Sequence, residues 1–332
     1  MSSTIEINST IEINSGELET IVNLARMLCI SPSEYPDSFC KEAKRLSEYL
    51  PPRIKEQLLD FMKSGSPTGF LLLTGVLNTD DSLGPTPPTN THKIGEGTTL
   101  AKIQAILTHV IGEMIAYEAE GYGRLFQDVI PDKSMAIHQT SISSDFELEI
   151  HTEQAFSKLR PDFLSLACLR GHLDAITYIL PVQYILQHLS EGDIDLLKQP
   201  HWYTGVDLSF KLHGREFIEG DMRGPMPILH PDSEGKLQLV FDQDLMWGVD
   251  ETADGLIAKI VDIYYQYRIS HNLCPGEIIF VDNRFAVHGR SPFFPKYDGK
   301  DRFLIRCFAT LHYERSQVAR GLGERTVGAI YS

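Results

Sequence analysis

The residues best placed to do chemistry lie in Phe146-Glu147-Leu148-Glu149-Ile150-His151-Thr152-Glu153. On an extended segment, side chains two apart point to one face, so His151 and Glu153 present an imidazole nitrogen and a carboxylate oxygen together. These are two of the three ligands of the 2-His-1-carboxylate set that holds non-haem Fe(II). Alone, His-x-Glu is equally a solvated strand face. It gains meaning only with a second histidine from another strand and an anion-binding residue behind it.

Both are present. Cys274-Pro275-Gly276-Glu277 opens a turn, Ile278 to Val281 is apolar, and Asp282-Asn283-Arg284 turns again before His288 beside Gly289. His288 is so far downstream of His151 that only a closed sheet can bring the two together. Beyond it, Asp301-Arg302-Phe303-Leu304-Ile305-Arg306 puts Arg302 and Arg306 on one strand face, as two planar forks for two carboxylates. A solvent-facing strand with surface arginines is the plain alternative. The site reading predicts two anionic ligands next to a metal: an oxoacid cosubstrate and a substrate bearing a carboxylate. Asp242 and Asp244, also two apart, converge on one cation or else form an exposed acidic strand end.

Such a set needs elements to position it. Residues 15–63 carry helical periodicity, with Leu18, Ile21, Val22, Ala25 and Leu28 on one stripe and Pro51-Pro52 starting a further segment. Residues 70–76 read as a buried strand. Residues 78–97 are rich in Pro, Thr, Gly and Asp, and form either a lid or rim or a surface loop. Residues 100–122 predict a helix with Ile103, Ile106, Leu107, Val110, Ile111 and Met114 on one face; His109, one residue off that stripe, reads as structural. Strands are then predicted at 134–141, 145–153, 163–170, 177–179, 237–244, 277–281 and 302–312, with helical breaks at 181–197 and 251–270. The fold class expected is mainly β with helices: a double-stranded β-helix (jelly roll) core with N-terminal helices and a lid insertion. One domain over 1–332 is expected, with a helical support region at 16–122 and a core at 123–315 interrupted by an insertion at about 199–231. Residues 3–15 hold Ser-Thr-Ile-Glu-Ile-Asn-Ser twice, overlapping by one serine. The alternation suggests a strand, and no function is assigned to it.

Composition sets the bounds. The 332 residues are 42% hydrophobic and 23% charged, as in ordinary globular proteins. A net charge of −15 and a pI near 5.2 argue against nucleic acid and agree with a cationic small substrate. Five scattered cysteines without metal-type spacing read as free thiols of a reduced, cytoplasmic protein. No apolar run reaches the length of a membrane span, so no membrane partner is expected. A homo-oligomer is left open.

The runs His151-Thr152-Glu153-Gln154-Ala155-Phe156, Arg160-Pro161-Asp162-Phe163, Cys168-Leu169-Arg170, Asp282-Asn283-Arg284 through His288-Gly289-Arg290, and Tyr297-Asp298-Gly299-Lys300-Asp301-Arg302 carry a resemblance. Over roughly residues 120 to 315 the sequence is similar to the Fe(II)/2-oxoglutarate-dependent dioxygenases, in the clavaminate synthase-like branch that includes hydroxylases of free arginine, asparagine and lysine. The resemblance implies that His151, Glu153 and His288 bind Fe(II), and that Arg302 binds the distal carboxylate of 2-oxoglutarate with help from Thr177, where many relatives have Thr-Thr. It implies Arg306 at the substrate α-carboxylate, Ser141 as a substrate contact, Glu120 near the α-amino group, and Asp242 and Asp244 at a cationic side chain.

The reaction implied uses O2 and converts 2-oxoglutarate to succinate and CO2 while a substrate C–H is hydroxylated. Glu153 favours hydroxylation over halogenation, which needs a small residue there. The partners expected are therefore O2 and a free amino acid. Two carboxylates can share a compact ammonium, whereas a guanidinium wants further acceptors. Trp202, Tyr203 and Asp207 offer no clear set of these, so L-lysine is expected ahead of L-arginine, with C4 favoured over C3. Two other classes stay open: a hydrolase or cupin-type oxygenase using no oxoacid, and a non-catalytic jelly-roll binding protein.

Overall fold

The computed structural model describes residues 9–76, 83–207, 222–320 and 325–329. The first copy of the N-terminal repeat, its shared Ser9 aside, and the middle of the 199–231 segment lie outside the described residues. The second copy has a clear use. β1 (Thr10–Glu12) buries Ile11, and Asn14 caps α1 (Ser15–Met27) in a capping box with Glu17. α2 (Pro36–Ser47) and α3 (Pro52–Ser64) each begin with proline, whose fixed φ suits the first helical turn. β2 (Phe70–Thr74) runs parallel to β1.

α4 (Thr99–Ile111) is buried on nearly every side. It does not run on to Tyr122 as periodicity predicts. At Gly112 a Cβ would lie 2.9 Å from the Thr310 carbonyl oxygen, so the chain passes against the sheet there and becomes β3 (Glu113–Tyr117). β4 (Gln127–Val129) follows. The strand predicted at 134–141 is absent. Asp132 accepts from the Ser134 amide and hydroxyl, and the Thr140 carbonyl accepts from the Ser143 amide and hydroxyl. Such local bonds compete with sheet pairing and turn the segment into successive tight turns.

The remaining elements are β5 (Leu148–His151), β6 (Phe163–Arg170), β7 (Thr177–Pro181), α5 (Val182–Gln187), α6 (Glu191–Leu197), β8 (Trp202–Gly205), β9 (Met222–Met226), β10 (Leu229–Pro231), β11 (Leu237–Leu239), β12 (Met246–Gly248), α7 (Glu251–Tyr267), β13 (Ile269–His271), β14 (Ile278–Asp282), β15 (Ala286–Arg290), β16 (Phe303–Thr310) and β17 (Thr326–Val327). The main sheet runs β1-β2-β14-β6-β16-β3-β17, with β4 also on β16, and a second sheet runs β13-β7-β15-β5. β8 and β9, from the expected insertion, join β12 in a small sheet. The strand predicted at 237–244 stops at Leu239, and beyond it Asp242 bridges to His151.

Strict alternation decides what each strand shows to each side. On β16, Phe303, Ile305 and Cys307 pack with α1–α4, while Leu304 and Phe308 face the second sheet. On β14, Ile278 and Phe280 meet the helices and Ile279 and Val281 face inward. On the second sheet, Ile150, Leu180 and Val287 pack outward with Trp202 and α7, leaving Ile179 and Ala286 inward. This is the jelly roll expected, backed by helices on both sides. Among the described residues no helix is long and apolar enough to cross a membrane, and all five cysteines are free.

Arg325 ties the C-terminal segment to the helices: it donates to Glu113 at 2.7 Å and to Asp37 at 3.1 Å. Burial pushes the Glu113 carboxyl up, but hydrogen bonds from Arg325 and Lys44 outweigh it and hold the group at about 2. A carboxyl depressed in the folded state stabilises above its unfolded pKa, and that contribution is lost as pH falls through the folded value. Glu113→Gln should therefore lower stability at neutral pH by about 1–2 kcal/mol. The gap to wild type should close between about pH 4.5 and pH 2 in urea titrations; a gap independent of pH would refute the assignment.

Candidate active site

β5 and β15 are antiparallel neighbours with His151 directly opposite His288. The ring centroids lie 4.5 Å apart. Glu153 sits just past the end of β5, and one ligand atom from each of the three side chains falls within 4.8 Å of the others. The Glu153 backbone is held on both sides by Asn283: its amide donates to Asn283 Oδ1 at 2.7 Å, and Asn283 Nδ2 donates to the Glu153 carbonyl at 3.2 Å. Asn283 Nδ2 also donates to the Pro161 carbonyl at 2.8 Å. Gln154 then takes a left-handed φ of 53°, which turns the chain away from the strand direction.

Protonation suits metal binding. His151 Nδ1 lies 2.8 Å from the Glu149 carbonyl; as donor there it leaves the Nε2 lone pair for the centre. Burial and the neighbouring His288 push the His151 imidazole down to about 4, so the ring is neutral at neutral pH. Burial acts to raise Glu153, but the Arg306 charge and the His288 hydrogen bond at 3.3 Å outweigh it and hold the carboxyl at about 2. Two imidazoles and a carboxylate on one point are the donor set that Fe(II) takes in facial-triad sites, so these residues could hold it.

Two cavities meet at this point. The smaller, about 50 Å³, is lined by Thr177, His288, Arg290 and Arg302 among others. Arg302 is 5% exposed and has no hydrogen-bond or ion-pair partner among the described residues. Burial away from any carboxylate pushes its guanidinium down to about 10. The Thr177 hydroxyl is likewise buried without a partner. An unpaired guanidinium and an unused hydroxyl on one small cavity fit the distal carboxylate of an oxoacid.

The larger cavity, about 300 Å³, is lined by Glu120, Glu149, Glu153, Asp207, Asp242 and Asp244, with Ser141 and Arg306 also on its wall. Arg306 Nε donates to Gln127 Oε1 at 2.9 Å, and its Nη2 donates to Glu120 and to the same Gln127 oxygen. Gln127 stands opposite Arg306 in the β4–β16 register. Gln154 Nε2 donates to Glu120 Oε2 at 2.8 Å. Asp242 is buried, accepts from the Leu245 amide at 2.8 Å, and is pushed up to about 7 by burial and then by Asp244. Asp244 is exposed at the rim. Burial and the adjacent Asp242 drive Asp207 well above the usual carboxylate range. Too many carboxylates share too little countercharge, so the cavity favours a cationic guest.

All ten residues singled out in the sequence therefore line one or both cavities. Sequence reasoning missed others. Asp207 was discounted as an acceptor, yet it lies beside Asp242. Glu149 shares the face of His151 and could have been found by that parity. Arg290 shares the face of His288 by the same rule, whereas Gln127 and Gln154 carry no sequence signal. His109 is buried on α4 away from the site, as expected of a structural histidine.

A jelly roll that gathers two histidines, a carboxylate and a buried free guanidinium defines a non-haem iron oxygenase that uses an oxoacid. The taurine catabolism dioxygenase TauD, TfdA family matches residues 100–308, and the chain belongs to that family. The L-lysine 3-hydroxylase of Catenulispora acidiphila is 42% identical over 98% of this chain and 91% of its own. An L-lysine 4-hydroxylase of a Flavobacterium species is 25% identical over 98% of this chain and 88% of its own. The crystal structure of an asparagine oxygenase with Fe(II), 2S,3S-3-hydroxyasparagine and succinate superposes with a TM-score of 0.88, at 27% identity over 97% of this chain and 99% of that one. The protein is thus an Fe(II)/2-oxoglutarate-dependent hydroxylase of free amino acids.

His151→Ala and His288→Ala should each abolish stoichiometric Fe(II) binding and turnover while the circular dichroism spectrum stays that of wild type. Iron bound at wild-type affinity in either variant would remove the three-residue set from consideration.

Proposed function

We propose that the protein hydroxylates free L-lysine at C3. The observation that carries this reading is the acidic cavity of about 300 Å³ reaching the His151, Glu153 and His288 cluster. When bound there, Fe(II) with 2-oxoglutarate supplies the oxidant for a C–H bond and releases succinate and CO2. This chain's own residues bind and orient. Arg302 and Thr177 take the distal carboxylate of 2-oxoglutarate. Arg306 takes the α-carboxylate of the amino acid and Glu120 its ammonium, so the substrate's two charges slot into an existing ion pair. Ser141 stands on the wall between. Asp242 takes the side-chain ammonium, with Asp207 and Asp244 adding negative potential. A ligand clamped at both ends presents its middle carbons to the metal, and burial keeps water from the reacting bond.

The expectation of C4 gives way to C3, because the 42% identical relative is an L-lysine 3-hydroxylase, whereas the L-lysine 4-hydroxylase is only 25% identical. A second reading, L-arginine, is favoured by one observation: Asp207 adds a third acceptor beside Asp242 and Asp244.

Succinate release measured with each of the twenty free amino acids should be largest with lysine, and proton NMR of the product should place the hydroxyl on C3. Preference for a neutral amino acid, or a C4 product, overturns the proposal. Asp242→Asn should raise the KM for lysine by roughly thirtyfold or more, since it leaves a buried ammonium short of a partner worth about 2–5 kcal/mol, and should leave the KM for 2-oxoglutarate nearly unchanged.

The two arginines should separate in the same assay. Arg302→Lys loses a bidentate pair worth about 1.5–3 kcal/mol and should raise the KM for 2-oxoglutarate more than that for the amino acid; Arg306→Lys should do the reverse. If both variants disturb the same ligand, the two forks are wrongly assigned.

A further inference from the structure

Arg290 has no part in the reading above, yet it stands on the wall of the small cavity. It lies two residues after His288 on β15, so alternation sends its side chain to the same interior face. In the β15–β7 register it is directly opposite Thr177. Its guanidinium carbon is 5.0 Å from the centre of the Phe293 ring, and that of Arg302 is 5.8 Å from the same centre. Two guanidiniums therefore rest against one ring and share one cavity. Arg290 is 4% exposed and Arg302 5%. Neither has a carboxylate partner among the described residues.

The neutral contacts of Arg290 do not use up its donors. Nε donates to the Ser291 carbonyl at 3.2 Å, Nη1 to the Ser141 carbonyl at 3.2 Å, and Nη2 to the Ser143 hydroxyl at 3.1 Å. One N–H on Nη1 and one on Nη2 are left over, since each terminal nitrogen carries two. Like charges buried side by side without a counterion are unfavourable unless an anion joins them. A single carboxylate has lone pairs enough for two forks and a hydroxyl.

We propose that Arg290 is a second cosubstrate-recognition residue, which together with Arg302 and Thr177 binds the distal carboxylate of 2-oxoglutarate. It differs from Arg302 in holding a wall as well. Ser141 lines both cavities, and its carbonyl is fixed by Arg290. The same guanidinium thus spans the cosubstrate carboxylate and the wall that the amino acid meets. This inference rests on the assignment of the small cavity to 2-oxoglutarate.

The test is calorimetric titration of the Fe(II)-loaded protein without O2, using 2-oxoglutarate and 2-oxobutyrate, which lacks the distal carboxylate. Wild type should bind 2-oxoglutarate more tightly than 2-oxobutyrate. Arg290→Gln should weaken 2-oxoglutarate by about tenfold or more while changing 2-oxobutyrate by less than about threefold. Arg290→Lys, which keeps the charge and the fold, should recover part of the loss. Ser143→Ala, which removes the wall contact alone, should stay within about threefold of wild type for both acids. Equal weakening of the two acids by Arg290→Gln, no weakening at all, or a Ser143→Ala loss as large as that of Arg290→Gln each overturns the proposal. A wild type that binds both acids equally overturns the assignment of the cavity itself, a result distinct from the other three.

Discussion

His151 and His288 can serve one ion because β5 and β15 are antiparallel neighbours in a register that sets them opposite each other. Slipping that pairing by one residue would turn one imidazole to the outer face, where Ile150 and Val287 now pack with Trp202 and α7. The register is therefore fixed by apolar burial on the far side of the sheet. The third ligand depends on it less directly. Glu153 lies past the strand end, and its position comes from the paired hydrogen bonds of Asn283 on the turn between β14 and β15. One turn thus links the strand that carries His288 to the backbone that carries Glu153.

Around this centre the protein keeps two opposite electrostatic imbalances. The small cavity holds the buried guanidiniums of Arg290 and Arg302, neither paired with a carboxylate among the described residues, and the large one holds carboxylates around the single guanidinium of Arg306. Neither arrangement stabilises the empty protein, because buried like charges are unfavourable. Arg306 sits where the two meet. It already pairs with Glu120 and Gln127, so the amino acid end of the cavity is preorganised. Asp207 and Asp242, by contrast, form no ion pair among the described residues, and burial pushes both towards the neutral form until a cation arrives.

Much of this was legible in the sequence because it rests on parity. Counting in twos sets His151 with Glu153 and Arg302 with Arg306, and the cavity walls on which these residues stand obey that count. Strand 163–170 was placed to the residue for the same reason. Tertiary contact defeated the count elsewhere. The helical periodicity of α4 carries on past Gly112, but the Gly112 backbone packs closely on the Thr310 carbonyl and the chain continues as β3 paired with β16. Apolar and polar residues alternate loosely around 134–141, yet serine and aspartate side chains satisfy the backbone locally and no strand forms. Asp207 was undervalued because nothing in its neighbours shows that the chain folds back beside Asp242. Gln127 owes its role wholly to a cross-strand register.

Among the described residues, the two cavities share only Val129, Ser141, Leu148, His151, Glu153 and Arg306. Outside those positions, a residue of the acidic chamber meets the basic one through a shared residue, as Gln127 and Glu120 do through Arg306. Selection can therefore rework what the enzyme accepts as amino acid, residue by residue, without retuning how it engages its oxoacid. A scaffold partitioned in this way is suited to descent with changing appetite: one half of its interior stays under constant demand while the other is free to drift.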